Sequence, residues 1–338
     1  MSLVTRSAHR RRPALAISLL LGLAASALTG CSAFSDDGGG SGSSPRVVAA
    51  FYPLQYAAER VAGDRADVEN LTQPGQEPHD LELSIKETAL ITDGSLVVFE
   101  KDFQPAVDAS IEQNAEGEVL DVTEAADLVP VEEHEGHEEE SEHADEGEHT
   151  EESEHTDEGE EEHDHGDLDP HFWLDPVRMA DVADAIADAL SDVDPDQAEE
   201  YAANAADLRS DLEDLDEAYT SGLADCERST IVVSHDAFGY LTRYGLEVAP
   251  IAGLSPDAEP TPADLAELQE LIEHDGVTTV FSERLAPPRL TETLADDMGV
   301  RTDILDPIEG LTDDTANEDY LSLMERNLEA LERANGCR

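Results

Sequence analysis

Between Glu132 and Asp167 the sequence is an acidic tract dotted with histidines. A segment of this composition has too few apolar side chains to bury, so we expect it to form no core of its own. It runs directly into the phrase DPHFWLDP, Asp169–Pro176, whose aromatic and apolar residues are typical of a packed structure. The sequence therefore predicts a folded domain that carries a long acidic loop, which we call the acidic tract.

The formal charge of -62 at pH 7 limits the partners of this chain. Nucleic acids and anionic membranes are recognised mainly through Lys and Arg, so the charge excludes general electrostatic binding to either one. Cations are the partners that such a field attracts. The scarcity of lysine, Lys86 and Lys101 being the two in the chain, suggests adaptation to a saline habitat.

The first thirty residues have the pattern of a secretory signal, with several arginines before the apolar run Ala14–Leu28. The run ends in LTGC, which resembles the lipobox of bacterial lipoproteins, and this resemblance implies lipidation of Cys31 after cleavage. We therefore expect a lipoprotein signal peptide over residues 1–30 and a flexible Gly/Ser-rich linker over 31–45. A chance cysteine behind an ordinary signal peptide is the alternative.

Two further cysteines, Cys226 and Cys337, remain in a chain that this signal directs to a disulfide-permissive compartment. One bridge between them is the simplest pairing, and two unpaired thiols are the alternative. Such a bridge would attach the C-terminus to the start of the second half of the chain.

Strand and helix patterns alternate along the mature chain. The segments RVVAAFYPL, ADVENL, SLVVFE and EVL are typical of strands, and IKETALITDG is typical of a helix between two of them. A long helix is predicted from Pro195 to Leu223, and the alternation resumes after Cys226. The pattern predicts an α/β fold with two mainly parallel sheets joined by one long rigid helix. The domain boundaries predicted from it are 46–194 for a first lobe that includes the acidic tract, 195–224 for the linking helix and 225–338 for a second lobe.

Four histidines lie in sequence that is expected to fold. His79, His171 and His235 each sit where a loop or strand end meets a helix, which is where ligands bind in open α/β sheets. Each of the three has acidic neighbours, and together they indicate a metal site. His274, at the end of a helix, is more simply a capping or surface residue.

The phrases PHDLELS, DPHFWLDP, SHDAFGYL, LDPIEGL and YLSLMERNL, in this order, resemble the cluster A-I substrate-binding proteins of bacterial ABC transporters, which capture zinc or manganese. The resemblance covers nearly the whole mature chain. It implies two lobes with the metal between them, and His79, His171 and His235 as ligands. It also implies Asp306 as a carboxylate ligand, whereas a glutamate that some zinc-type members have just before the first histidine is replaced by Pro78.

Three imidazoles suit Zn(II) and leave a fourth position for water or a carboxylate. Acidic residues such as Glu283 and Asp236 are candidates to hold the distal ring nitrogens of the ligands. The tract would add weak, exchangeable zinc sites at His134, His137, His143, His149, His155, His163 and His165. A solvated spacer is the alternative interpretation of the tract.

The sequence thus predicts a high-affinity zinc-binding lipoprotein, monomeric and held on the outer face of the cell membrane by its lipid, that delivers Zn(II) to an ABC permease and its ATPase. Manganese as the metal, or an adhesin or scavenger role, are alternatives within the same family. An exported zinc hydrolase is disfavoured because the sequence contains no HExxH motif.

Overall fold

A computed structural model describes residues 44–131, 168–256 and 258–338. These residues belong to one compact unit, Ser43–Arg338. The acidic tract, its seven histidines and Cys31 lie outside the described residues, so the expectations for them stay predictions.

The first sheet is formed by β1 (Arg46–Ala49), β2 (Asp67–Asn70), β3 (Leu96–Phe99) and β4 (Glu118–Asp121). All its pairings are parallel, and the strand order is β2-β1-β3-β4. The central strands β1 and β3 are the apolar runs RVVA and LVVF and are almost fully buried, whereas the edge strands carry polar residues and are partly exposed. This contrast is expected because helices cover both faces of a parallel sheet.

The second sheet repeats this plan with β5 (Thr230–Val233), β6 (Glu247–Pro250), β7 (Thr279–Ser282) and β8 (Arg301–Ile304). The order is β6-β5-β7-β8, and every pair is parallel. Ile231 and Val233 of β5 point into the main core, while Val232 points into a smaller core on the opposite face. This alternation follows from the two-residue period of a strand.

The helices that follow or connect these strands are α1 (Tyr52–Ala62), α2 (Ile85–Asp93), α3 (Pro105–Asn114), α4 (Thr123–Ala126), α5 (Pro176–Val193), α6 (Ala198–Gly222), α7 (Pro262–Asp275), α8 (Arg289–Met298) and α9 (Tyr320–Asn335). Two sheets with covering helices, connected in sequence by the 25-residue α6, confirm the predicted α/β fold class. The domain boundaries drawn from the sequence stay a prediction.

Helix α6 buries Tyr201, Leu208, Leu212, Leu215 and Tyr219, the recurring apolar positions that predicted it. It begins at Ala198, after a short 3-10 turn at Pro195–Gln197. It packs along α5 and reaches α9, where the Tyr219 hydroxyl donates to the Met324 carbonyl at 2.8 Å.

A disulfide joins Cys226 to Cys337, which confirms the predicted bridge. The two cysteines are 111 residues apart. On the chain-entropy model, closing a loop of this length stabilises the folded state by roughly 4 to 5 kcal/mol. The bridge therefore fixes the end of α9 beside the start of β5.

Among the residues that the structure describes, we find no helix with the length and apolar character needed to cross a bilayer.

Candidate metal centre

The three histidines singled out in the sequence come together at the carboxyl ends of the strands. His79 lies in the loop between β2 and α2, and His235 follows β5 by two residues. His171 precedes the 3-10 turn Phe172–Leu174, which leads into α5. Their ring centroids are 5.4 to 6.0 Å apart. Loops from both sheets therefore supply one cluster.

A fourth residue, Glu309, completes this cluster from the loop that follows β8. Its Oε1 atom lies 3.3 Å from Nε2 of His79, 3.4 Å from Nε2 of His171 and 3.5 Å from Nε2 of His235. One donor atom from each of the four residues lies within 4.8 Å of all the others. Three imidazole nitrogens and one carboxylate oxygen that converge on one point form a donor set suited to a tetrahedral metal.

Three buried polar atoms of the cluster have no hydrogen-bond partner within the part of the chain that the structure describes. Nε2 of His171, Nε2 of His235 and Oε2 of Glu309 are buried and make no hydrogen bond among the described residues. Buried polar atoms are otherwise almost always paired, since leaving one unpaired costs about 1 to 3 kcal/mol. A cation between them would satisfy these atoms, so the residues present fit a bound metal.

The expectation that Asp306 supplies the carboxylate is wrong in this structure. Asp306 is outside the four-residue cluster, and its Oδ2 lies 2.9 Å from Nε of Arg284. Its Oδ1 accepts the N–H of Ile308 at 2.9 Å, and its backbone exchanges hydrogen bonds with the Asn327 side chain. Asp306 therefore shapes the loop, and Glu309, three residues later, reaches the histidines.

The loop that carries Glu309 is held in an unusual conformation. Ile308, immediately before it, has a φ of 60°, in the left-handed region that β-branched residues rarely occupy. The indole N–H of Trp173 donates to the Pro307 carbonyl at 2.7 Å, which ties this loop to the segment that carries His171. Strain of this kind is commonly stored at functional sites. Here the strained residue directly precedes Glu309, whose carboxylate lies among the three imidazoles.

Two buried carboxylates support the ligands from behind. Asp169 Oδ1 lies 2.8 Å from Nδ1 of His171, and Glu283 Oε1 lies 2.9 Å from Nδ1 of His235. Each such contact fixes the ring orientation and leaves Nε2 facing the cluster, where a metal could bind. Glu283 thus lies where the sequence analysis expects a supporting residue. Asp236, the other candidate, is partly exposed, and its backbone N–H donates to the Gly253 carbonyl.

These contacts determine the protonation of the metal-free cluster. Burial alone would lower the pKa of both buried histidines, but the carboxylates reverse its effect. Asp169 and Glu309 raise the pKa of His171, and Glu283 and Glu309 raise the pKa of His235 to about 10. Burial would raise the pKa of Glu309, yet the three surrounding imidazoles hold it well below its usual range. The metal-free cluster therefore holds protons that a cation would displace.

The remaining folded histidine plays no part in the cluster. His274 is exposed near the end of α7, where its Nδ1 lies 2.7 Å from Oδ1 of Asp275. This position agrees with the surface interpretation of His274.

A family model described as zinc-uptake complex component A, periplasmic, matches residues 47–334. The chain is 39% identical over 294 residues to the zinc-binding lipoprotein AdcA of Streptococcus pneumoniae R6, covering 85% of this chain and 55% of that protein. It is 34% identical over 292 residues to the high-affinity zinc uptake system protein ZnuA of Bacillus subtilis 168, and the match covers 84% of this chain and 86% of that protein.

A solved structure shows the same architecture. The crystal structure of the Zn(II)-bound ZnuA-like domain of Streptococcus pneumoniae AdcA superposes with a TM-score of 0.67 at 34% identity. The match covers 86% of this chain and 98% of that domain. The chain thus spans about 55% of the length of the pneumococcal protein, the part that this domain represents.

Proposed function

The chain belongs to the zinc-uptake complex component A family, and from this membership we propose that it captures Zn(II) outside the cytoplasm and delivers it to an ABC transporter. The observation that carries this proposal is the convergence of His79, His171, His235 and Glu309 on one point. The relatives reported above are named for zinc binding or zinc uptake, and the related domain was solved with Zn(II) bound.

The donor set favours zinc over manganese. Three imidazoles and one carboxylate form a compact, nitrogen-rich set of four donors, which suits Zn(II) in its usual tetrahedral coordination. Mn(II) prefers more oxygen donors and a higher coordination number. Because Glu309 offers a fourth donor, the four residues would fill the positions of a tetrahedral zinc ion. That arrangement suits capture of the ion better than activation of a bound water, which a hydrolase requires.

The partner of the loaded protein would be the permease of the transporter with its ATPase, and the protein would act as a monomer. A lipid on Cys31 would hold it on the outer face of the cell membrane, with residues 31–45 as a flexible tether. The family description as an uptake-complex component and the naming of the pneumococcal relative as a lipoprotein support these assignments.

The test is a zinc titration of the purified metal-free full chain against a chelator strong enough to strip the weak sites of the acidic tract. We expect one tight zinc per chain and a change in the emission of Trp173, whose ring lies 5.3 Å from that of His171. Mn(II) should compete poorly. His274→Ala is the matched control because it removes an exposed histidine. No chelator-resistant zinc, or equal competition by Mn(II), would overturn the assignment.

A further inference from the structure

The four ligands are not equally accessible from solvent. The side chains of His171, His235 and Glu309 are at most 1% exposed, whereas that of His79 is 13% exposed. A cation therefore has to reach the cluster past His79, and the surroundings of that ring define the entry path.

A pocket of about 120 Å³ lies beside His79. Its walls are mainly apolar and include Phe103, Leu128 and Leu254, with Asp80, Lys101 and Asp102 at exposed positions. Low-dielectric walls strengthen the attraction between a cation and any negative charge in such a pocket. His79 lines both this pocket and the metal cluster, so the pocket leads to the site.

One carboxylate in this pocket, that of Glu100, makes no contact among the described residues that would explain its burial. Glu100 directly follows β3, its residue is 2% exposed, and neither carboxylate oxygen makes a hydrogen bond among the described residues. A buried carboxylate without partners destabilises the folded protein, because desolvation disfavours its charge. Burial, together with the charges of Asp169, Asp121 and Asp108, raises the pKa of Glu100 well above its usual range. This side chain is therefore poised to exchange a proton for a cation.

We propose that Glu100 is a transient binding site for a divalent cation on the path from solvent to His79. A single protein carboxylate completed by water binds a cation weakly, which a transfer site requires, since a tight site there would retain the metal. This inference rests on the proposed zinc site, which is the destination of the ion.

The first test compares Glu100→Gln with Asp102→Asn in the metal-free full chain. Both substitutions remove one carboxylate from the pocket lining, but Asp102 is exposed. Limiting zinc is mixed rapidly with each protein, and loading of the cluster is followed through Trp173, the only tryptophan in the chain. About 0.5 M salt screens the long-range attraction of the remaining acids.

We expect loading to slow about fivefold or more in Glu100→Gln and less than about twofold in Asp102→Asn. Release of zinc to a chelator should slow by the same factor in Glu100→Gln, because a site on the path changes both rates and leaves the affinity unchanged. Unchanged rates, or a weaker affinity at an unchanged loading rate, would overturn the proposal. If the wild-type protein gave no zinc response, the proposed zinc site itself would fail instead.

A second test locates the ion. Crystals of the zinc-loaded full chain soaked in Cd(II) should show an anomalous peak beside the Glu100 carboxylate, and crystals of Glu100→Gln should lack it. No peak in wild-type crystals, or the same peak in the variant, would contradict the proposal. Because Glu100→Gln replaces an unpaired buried carboxyl by a neutral side chain of equal size, its melting temperature should equal or exceed that of the wild type.

Discussion

The two halves of the metal site differ in how firmly they are built. His171 and His235 are fully buried, and each has Nδ1 against a buried carboxylate, Asp169 or Glu283. His79 is partly exposed and lies in an irregular loop. That loop is held by the Gln104 side chain, which donates to the Pro78 carbonyl at 3.1 Å, and by Gly75, whose N–H donates to the Leu311 carbonyl at 2.7 Å.

This difference suggests a division of labour between the histidines. The buried pair is preorganised, so a metal that reaches it loses little free energy to rearrangement of the protein. His79, the accessible member of the cluster, lies on the entry path that we propose. Affinity should therefore depend mainly on the buried pair, and exchange rates should depend mainly on the His79 side.

Alanine substitution of the ligands gives the largest expected effects. His171→Ala and His235→Ala should each weaken tight zinc binding about a hundredfold, near 2.7 kcal/mol, because each removes a buried, preorganised imidazole; Asp169 keeps the backbone N–H of residue 171, whereas Glu283 loses its contact with the His235 ring. His79→Ala should weaken binding about tenfold and speed release more than it slows loading. Chelator competition and stopped-flow release measure these quantities. Equal losses of affinity at all three positions would remove the proposed distinction.

The carboxylates of the loop after β8 provide the next comparison. Glu309→Gln should weaken zinc binding about thirtyfold, because a neutral amide replaces the one negative ligand. Asp306→Asn should cost about threefold or less in affinity, but it should lower the melting temperature because it weakens the contact with Arg284. The reverse ranking in chelator competition would restore Asp306 as the ligand.

The pH dependence sharpens the contrast on the buried side. The pKa of His235 is raised to about 10, so zinc must displace its proton throughout the neutral range. Affinity should rise about tenfold per pH unit for each proton released, from pH 6 towards pH 9. Because the pKa of His235 is higher in the folded than in the unfolded state, its protonation stabilises the metal-free fold. This stabilisation is complete at pH values below the unfolded pKa of about 6.5, and it is lost as the pH rises towards 10.

Glu283→Gln is the matched variant for this dependence. Removing that carboxylate should lower the pKa of His235, so fewer protons are released on zinc binding at pH 8 and the slope becomes shallower. Affinity should fall about tenfold, as is typical when the support of a ligating histidine is removed. Calorimetry in buffers of different ionisation enthalpy counts the protons released. An unchanged proton count would show that Glu283 does not set the protonation of His235.

Much of this site could be predicted from the sequence, and the part that could not has a physical cause. His79, His171 and His235 are visible because they stand at strand ends beside acidic residues. The choice between Asp306 and Glu309 cannot be predicted from the sequence, because both residues lie in one short loop without hydrophobic periodicity. The selection depends on Arg284 and Asn327, which are distant in sequence, and on the left-handed conformation of Ile308.

The fold shows a similar limit. The central strands and α6 are predicted because burial imposes a strong apolar pattern on them. The edge strand β6, Glu247–Pro250, is partly exposed and carries only two aliphatic residues, so its pattern is weak. Its existence depends on pairing with β5, which is a tertiary contact.

Removal of the acidic tract should have the smallest effect on the tight site. The residues that flank the tract contact each other directly. The Asp169 N–H donates to the Val129 carbonyl at 2.8 Å, and Pro130 and Leu168 form an isolated β-bridge. The Tyr240 hydroxyl accepts the Val129 N–H at 3.2 Å and donates to the Asp169 carbonyl at 2.7 Å. Replacing residues 132–167 by a short Gly/Ser turn should therefore leave Asp169 in place against His171.

For this deletion we expect the affinity of the tight site to change by less than about twofold and the melting temperature to be retained. The additional weak zinc equivalents should disappear, and in the wild type they should weaken with salt because exposed charges are screened. At substoichiometric zinc, the loading of the cluster, followed through the emission of Trp173, should be slower in the deletion variant. Cells that carry the deletion should grow more poorly only under zinc limitation. Leu128 and Leu168, which flank the tract, line the pocket beside His79, so both ends of the deletion lie at the proposed entry path. Equal loading rates and equal growth at low zinc would favour the spacer interpretation, with affinity and exchange both set by the folded site.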